Sequence, residues 1–198
     1  SYDDKILELT KQKEVLYNKV LAQARVLTEY RMKSAKEIEQ QMEGYLIPLG
    51  MPNVRFAVEL SSKKEPDAKG LDNVTFLFSA NKNGTLQNVA SIASGGEIAR
   101  VMLSLKAMIA GAVKLPTIIF DEIDTGVSGS VADKMGTMIC EMGAYMQVFA
   151  ITHLPQVAAK GSAHYLVTKD VDASADKTVS TIKRLSADER VFEVARML

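Results

Sequence analysis

The order of patterns between residues 94 and 152 constrains the fold more than any other part of the chain. A helical stretch (94 to 112) runs into an apolar segment at 116 to 121, and a second helical stretch (about 129 to 144) runs into another, "QVFAIT", at 147 to 152. Unbroken apolar strands are the kind buried on both faces, and parallel neighbours need crossovers of helical length. The pattern predicts an α/β domain of parallel strands with flanking helices. Upstream, "VRFAVEL" (54 to 60) puts Val54, Phe56, Val58 and Leu60 on one face, and "NVTFLFSAN" (73 to 81) is a second β-rich run. The polar "SSKKEPDAKG" between them predicts a long hairpin connection and an antiparallel pair. After residue 152 come two strand-like runs, "AHYLVTK" and "KTVSTIKRL", with a turn expected at "DVDASAD", and then a short helix from Ser186.

Residues 1 to 46 hold no Pro and one Gly, and mix Lys, Glu and Gln with apolar residues at helical spacing. Leu16, Val20, Leu27, Ile38, Met42, Tyr45 and Leu49 fall near one stripe that Ala24 and Arg31 interrupt, and Pro48, Gly50 and Pro52 end the pattern. Two readings fit: an amphipathic helix packed on its own domain, or one strand of an antiparallel coiled coil whose partner is absent. The expected division is a coiled-coil helix over 1-46 and a domain over 47-198. Because Ser1 opens inside a charged helical pattern, the chain reads as part of a longer protein.

Composition excludes little. With 198 residues, 47% of them hydrophobic, one buried core plus an appendage is possible. Lys and Arg number 24 against 24 Asp and Glu, so net charge names no partner. The single cysteine, Cys140, excludes an internal disulfide and is expected to be buried. The helix methionines Met102, Met108, Met135, Met138 and Met142 are expected to fill the core. No apolar run of about 18 residues and no secretory leader is present, which predicts a soluble, cytoplasmic protein with no membrane partner.

Three features could carry chemistry. "IIFDE" brings Asp121 and Glu122 to the C-terminal edge of a buried parallel strand, where open α/β sheets place ligands. An Asp there can hold Mg²⁺, and the adjacent Glu can orient or deprotonate a water. The plainer reading is that strand ends face solvent and acids are common there. "ASGGEIARVMLSLKAMI" opens with Ser94 three residues before Glu97, a capping box. Two glycines in that first turn disfavour a helix unless bare backbone must be approached closely, and a Ser hydroxyl with free N–H groups there suits phosphate. "FAITHLPQVA" sets His153 directly after the second apolar strand, so its ring should emerge at the same edge, although a lone His is commonly structural. His164 reads as a surface or strand-end residue, and Asp124 as a turn acid before Gly126 or a subunit contact.

In order and spacing, these features resemble the C-terminal lobe of an ABC-type ATPase head, in its SMC-like branch. The matching motifs are the signature motif (Ser94, Gly95, Gly96, Glu97), Walker B (Ile118 to Asp121, with Glu122 catalytic), the D-loop from Asp124 and the switch histidine, His153. The wording "FLFSAN", "FDEIDTGVSG" and "THLPQVAAKG" is similar to a bacterial member acting in DNA double-strand-break repair and recombination. The resemblance implies an α/β P-loop NTPase-like lobe with an antiparallel strand pair and a coiled-coil helix. It also implies ATP and Mg²⁺ as cofactors, Asp121 as a metal ligand through water, and Glu122 and His153 as catalytic residues. Ser94, Gly95, Gly96, Glu97, Asp121 and Asp124 would bind the nucleotide. The implied partners are an N-terminal lobe of the same protein, a second head joined through ATP, and DNA, at the bacterial nucleoid. Two departures are Ala93-Ser94 where many ABC proteins have Leu-Ser, and Glu97 where many transporters have Gln.

The phosphate-cradling loop G-x-x-x-x-G-K-[ST] is missing: "GAVKLPT" and "NGTLQNV" lack the second Gly and the Gly-Lys pair. The chain alone is therefore expected to be inactive. Other readings are a lobe of a different SMC-like or ABC ATPase, a non-catalytic coiled-coil interaction module with a vestigial ATPase lobe, and, remotely, a metal-dependent nuclease using Asp121 and Glu122. Lys63, Lys64, Lys69 and Lys82 form a modest basic cluster that reads more readily as a solvated loop than as a DNA track.

Overall fold

The computed structural model describes residues 2–172 and 177–198. The turn expected within "DVDASAD" falls largely on 173–176, outside the described residues. The chain divides into two compact units, 1–47 with 51–92, and 48–50 with 93–198.

In the first unit, helix α1 (Tyr2–Leu46) packs on an antiparallel sheet in the order β1 (Arg55–Asp67), β2 (Gly70–Ser79), β3 (Gln87–Asn88). The residues buried along α1 are Ala24, Ala35, Met42 and Leu46, with Thr28, Arg31 and Ile38 half-buried, whereas Leu16, Val20 and Leu27 are exposed. The apparent interruptions, Ala24 and Arg31, thus lie in the contact seam. Arg31 belongs there because Asp72 of β2 meets its guanidinium at 2.9 Å, while Thr28 Oγ1 donates to the same buried carboxylate at 2.9 Å. Apolar side chains of the helix's first half, including Ile6, Leu9 and Val15, remain exposed. Glu39 and Glu43 accept from the N–H groups of Val58 and Phe56 at 2.9 and 3.4 Å, satisfying the free edge of β1.

The long polar connection expected between β1 and β2 is instead mostly strand. Pairing runs from Arg55↔Ser79 to Ser62↔Asp72 and, after an irregularity, to Asp67↔Gly70, leaving Ala68 and Lys69 as the turn. Asp67 Oδ1 accepts from Lys69 N at 2.7 Å, and Gly70 takes φ +89°. The polar composition of 61–69 reflects strand residues that are mostly solvated.

The second unit begins with α2 (Gly95–Val113), β4 (Thr117–Asp121), α3 (Gly129–Met142) and β5 (Gln147–Ile151). The short α4 (Pro155–Ala158), the antiparallel β6 (Tyr165–Asp172) and β7 (Lys177–Arg184), and α5 (Ala187–Met197) follow. β4 and β5 pair in parallel, Thr117↔Gln147 through Asp121↔Ile151, as the sequence pattern requires. Phe120, Leu103, Ala110, Met135, Ile139 and Met142 form the centre of the core, drawn from α2, α3 and β4. Alternation puts Ile118 and Phe120 toward this core and Ile119, Asp121, Phe149 and Ile151 on the opposite, exposed face. Among the described residues only one face of the pair is covered.

Cys140 is exposed, not buried: the buried stripe of α3 is Ala132, Met135, Gly136, Ile139 and Met142, and Cys140 is turned about 100° from Ile139. Met102 is likewise exposed, since Val101 and Leu103 take the inward positions of α2, while Met135 and Met142 do fill the core. His164 ends the segment before β6, half-buried, with its carbonyl accepting from Leu185 N at 2.9 Å.

Candidate functional site

β4 carries its pairing one step beyond its end: Glu122 N donates to Ile151 O at 3.1 Å. The chain then turns at once. Glu122 takes φ 48°, a left-handed conformation that a non-glycine residue adopts at a cost of about 1–2 kcal/mol. Its carbonyl accepts from Thr125 N at 3.3 Å and Thr125 Oγ1 at 2.9 Å, and Asp124 O accepts from Val127 N at 3.2 Å. Asp121 and Glu122 are exposed, and among the described residues neither carboxylate has a hydrogen bond or ion pair.

Asp124 goes the other way. Its side chain is 1% exposed, and Oδ2 accepts a short hydrogen bond from Thr152 Oγ1, which in turn accepts from Leu154 N at 3.0 Å. Oδ1 lies 3.7 Å from His153 Nδ1, whose ring is 65% exposed. Burial leaves the Asp124 carboxylate turned inward to Thr152 and His153. His153 emerges beyond β5, as expected from the parallel pair.

Ser94 caps α2 as the motif predicts. Its Oγ accepts from Glu97 N at 3.4 Å and its carbonyl from Ile98 N at 3.0 Å. The two glycines that follow differ. A Cβ on Gly96 would stand 2.6 Å from Gly126 O, so close backbone packing against the turn after β4 requires glycine there. A Cβ on Gly95 would meet nothing within 4 Å, so no contact among the described residues explains its lack of a side chain. Arg100 braces the start of the helix, donating from Nε to Gly96 O at 2.9 Å and from NH1 to Leu49 O at 3.1 Å.

The fold thus brings the start of α2 against the turn after β4 through Gly96 and Gly126, and Asp124 against His153. Thr152 and Arg100 are participants that sequence reasoning missed. Arg100, a charge between the buried Ala99 and Val101, was the readable signal; Thr152 gave none. Among the described residues no group of three or more His, Cys, Asp or Glu could hold a metal ion. One free carboxylate, Asp121, fits Mg²⁺ in the manner of nucleotide sites, where phosphate oxygens and water supply the other ligands.

No protein-family profile matches the chain. Solved structures that it resembles include SMC heads. One is the Smc head domain with a coiled coil and joint from Pyrococcus yayanosii, at TM-score 0.65 and 17% identity over 98% of this chain and 37% of that one. Another, described for ATP-driven dimerization and DNA-stimulated activation of SMC ATPases, aligns at TM-score 0.58 and 15% identity over 85% of this chain and 96% of that one. The chain has the fold of the C-terminal lobe of an SMC-type ATPase head. In sequence it is 36% identical to the DNA repair protein RecN of Vibrio cholerae over 197 residues, 99% of this chain and 35% of that protein. It is 38% identical to RecN of Rickettsia felis over 191 residues, 96% of this chain and 35% of that protein. The chain belongs to the RecN family, and it spans about a third of the length of the curated relatives it matches.

Proposed function

We propose that the chain supplies one lobe of an ATP-hydrolysing head in a RecN-type protein of DNA double-strand-break repair. The observation that carries this reading is Glu122: a charged residue held at φ 48° at the C-terminal end of a core strand, its carboxylate free. Strain of this kind persists where the position of a side chain matters more than local stability. From there Glu122 orients and deprotonates the water that attacks the γ-phosphate. Asp121, on the open face of the β4–β5 pair, holds Mg²⁺ through water. When bound, that ion neutralises charge on the phosphate oxygens.

The phosphate loop comes from an N-terminal lobe of the same protein, and the exposed face bearing Ile119, Phe149 and Ile151 is the surface left for it. The helix start at Ser94, Gly95, Gly96 and Glu97 serves a nucleotide gripped by a second head. Gly95, bare without an internal reason, lets backbone N–H groups approach a γ-phosphate. The heads associate only around ATP, because neither alone completes the site. His153 contacts the γ-phosphate, and DNA and the nucleoid are the setting of the whole protein. The helix over 1-46 serves as its coiled-coil arm and 47-198 as the lobe.

The deciding experiment is Mg²⁺-ATP turnover by this chain alone and mixed with a lobe carrying the phosphate loop. Turnover only in the mixture, slowed about 10²-fold by Glu122→Gln, is the expected result. Turnover by the chain alone, or an unaffected Glu122→Gln mixture, overturns the reading.

A further inference from the structure

Asp124 is the most enclosed charged residue of the second unit, and only half of its carboxylate is accounted for. Oδ2 takes the Thr152 hydroxyl, while Oδ1 is shielded from solvent and has no hydrogen-bond partner among the described residues. A buried carboxylate oxygen left unmatched is costly, so the group facing it matters. That group is His153 Nδ1, 3.7 Å away, just beyond hydrogen-bond distance. A modest rotation of the exposed ring closes the gap. Thr152, whose hydroxyl bridges Asp124 and Leu154 N, fixes the carboxylate beside the backbone that carries the histidine.

We propose that Asp124 is a positioning residue that acts through His153: it accepts Nδ1–H and leaves Nε2 as the imidazole nitrogen presented to the nucleotide. A carboxylate on one ring nitrogen selects the tautomer and the ring orientation, and so decides what the other nitrogen can do. An amide in its place can donate to Nδ1, which selects the opposite tautomer. Thr152 keeps Asp124 turned inward, so the D-loop acid serves its own lobe. The consequence for nucleotide chemistry rests on the ATPase reading above; the tautomer does not.

The chain contains two histidines, so His164 serves as an internal reference. The test is ¹⁵N NMR of the ¹⁵N-histidine-labelled chain at pH 8, where a free imidazole is neutral. His153 is expected with Nδ1 protonated and Nε2 bare, and Asp124→Asn is expected to reverse this while His164 stays unchanged. In the complete ATPase, Asp124→Asn should lower kcat about tenfold with KM little changed. An Nε2–H tautomer for His153 in the unaltered chain overturns the inference without touching the ATPase reading, and does so even if Asp124→Asn fails to fold. The expected tautomer in a protein that never hydrolyses ATP keeps the positioning and removes the proposed function.

Discussion

The two glycines at the start of α2 should separate folding from function. In Gly96→Ala the new Cβ would lie 2.6 Å from Gly126 O and 3.4 Å from its carbonyl carbon, against a floor of 3.0 Å that real Cβ atoms essentially never cross. Neither side can yield cheaply, because Gly126 is itself backbone at φ +74° and Gly96 O is held by Arg100 Nε at 2.9 Å. Overpacking of this kind costs about 1–3 kcal/mol, from which a helix-propensity gain of at most about 1 kcal/mol is subtracted. Gly95→Ala meets nothing within 4 Å and keeps only the gain. The two variants should therefore differ by about 2 kcal/mol in urea unfolding, with Gly95→Ala at or above the parent. In the complete protein, Gly95→Ala should nevertheless weaken ATP-dependent head association, because the added methyl blocks the approach of phosphate to backbone N–H groups. Equal urea midpoints for the two variants would refute the packing argument. Undiminished ATP-dependent association in a well-folded Gly95→Ala protein would refute the phosphate argument.

Glu122→Gly should raise stability by about 1 kcal/mol by relieving the left-handed residue, while abolishing turnover in the complete protein; a destabilised variant would mean the φ of 48° carries no strain. Arg31→Met should cost about 1–3 kcal/mol in urea unfolding by leaving the buried Asp72 with only Thr28, and pairing it with Asp72→Asn should recover part of the loss, whereas purely additive effects would deny the coupling. The Arg196 guanidinium, hydrogen-bonded to Glu193, holds the Glu193 carboxyl below its ordinary value. A depressed folded-state value stabilises above the unfolded one and is lost as pH falls through the folded one. Urea midpoints of the parent should thus fall more than those of Glu193→Gln below the usual glutamate range, and parallel pH curves would exclude the contribution.

What was legible in the sequence was local. The parallel pair followed from two apolar runs separated by a helical pattern, and Ser94 announced its own cap because the partner N–H lies three residues on. What stayed hidden depends on partners far along the chain. Arg31 reads as a flaw in a hydrophobic seam until Asp72, 41 residues later, appears against it. The 61–69 segment reads as loop because nothing in its composition shows that β2 pairs with its first part. Cys140 is exposed because its place on the helix, off the buried stripe of α3, outweighs the usual burial of its residue type. At the candidate site the acids were readable as types, but their roles diverged through burial: Asp121 and Glu122 point out, and Asp124 points in. Only the strand ladder and the Thr152 hydroxyl, neither visible in a spacing, separate them.

Gly96 and Gly126 have a mechanical consequence. A Cβ built on Gly126 would stand 3.0 Å from Gly96 N, so the two backbones touch with no side chain between them to absorb a displacement. Side chains cushion most contacts in a protein by changing rotamer; bare peptide planes in contact have no such slack. A push of a few tenths of an ångström on the start of α2 has to be met by the segment that follows Glu122, four residues before Gly126. In the ATPase head proposed above, the place where another molecule would press on Gly95 and the place where a water would be activated are therefore geared together by the backbone itself.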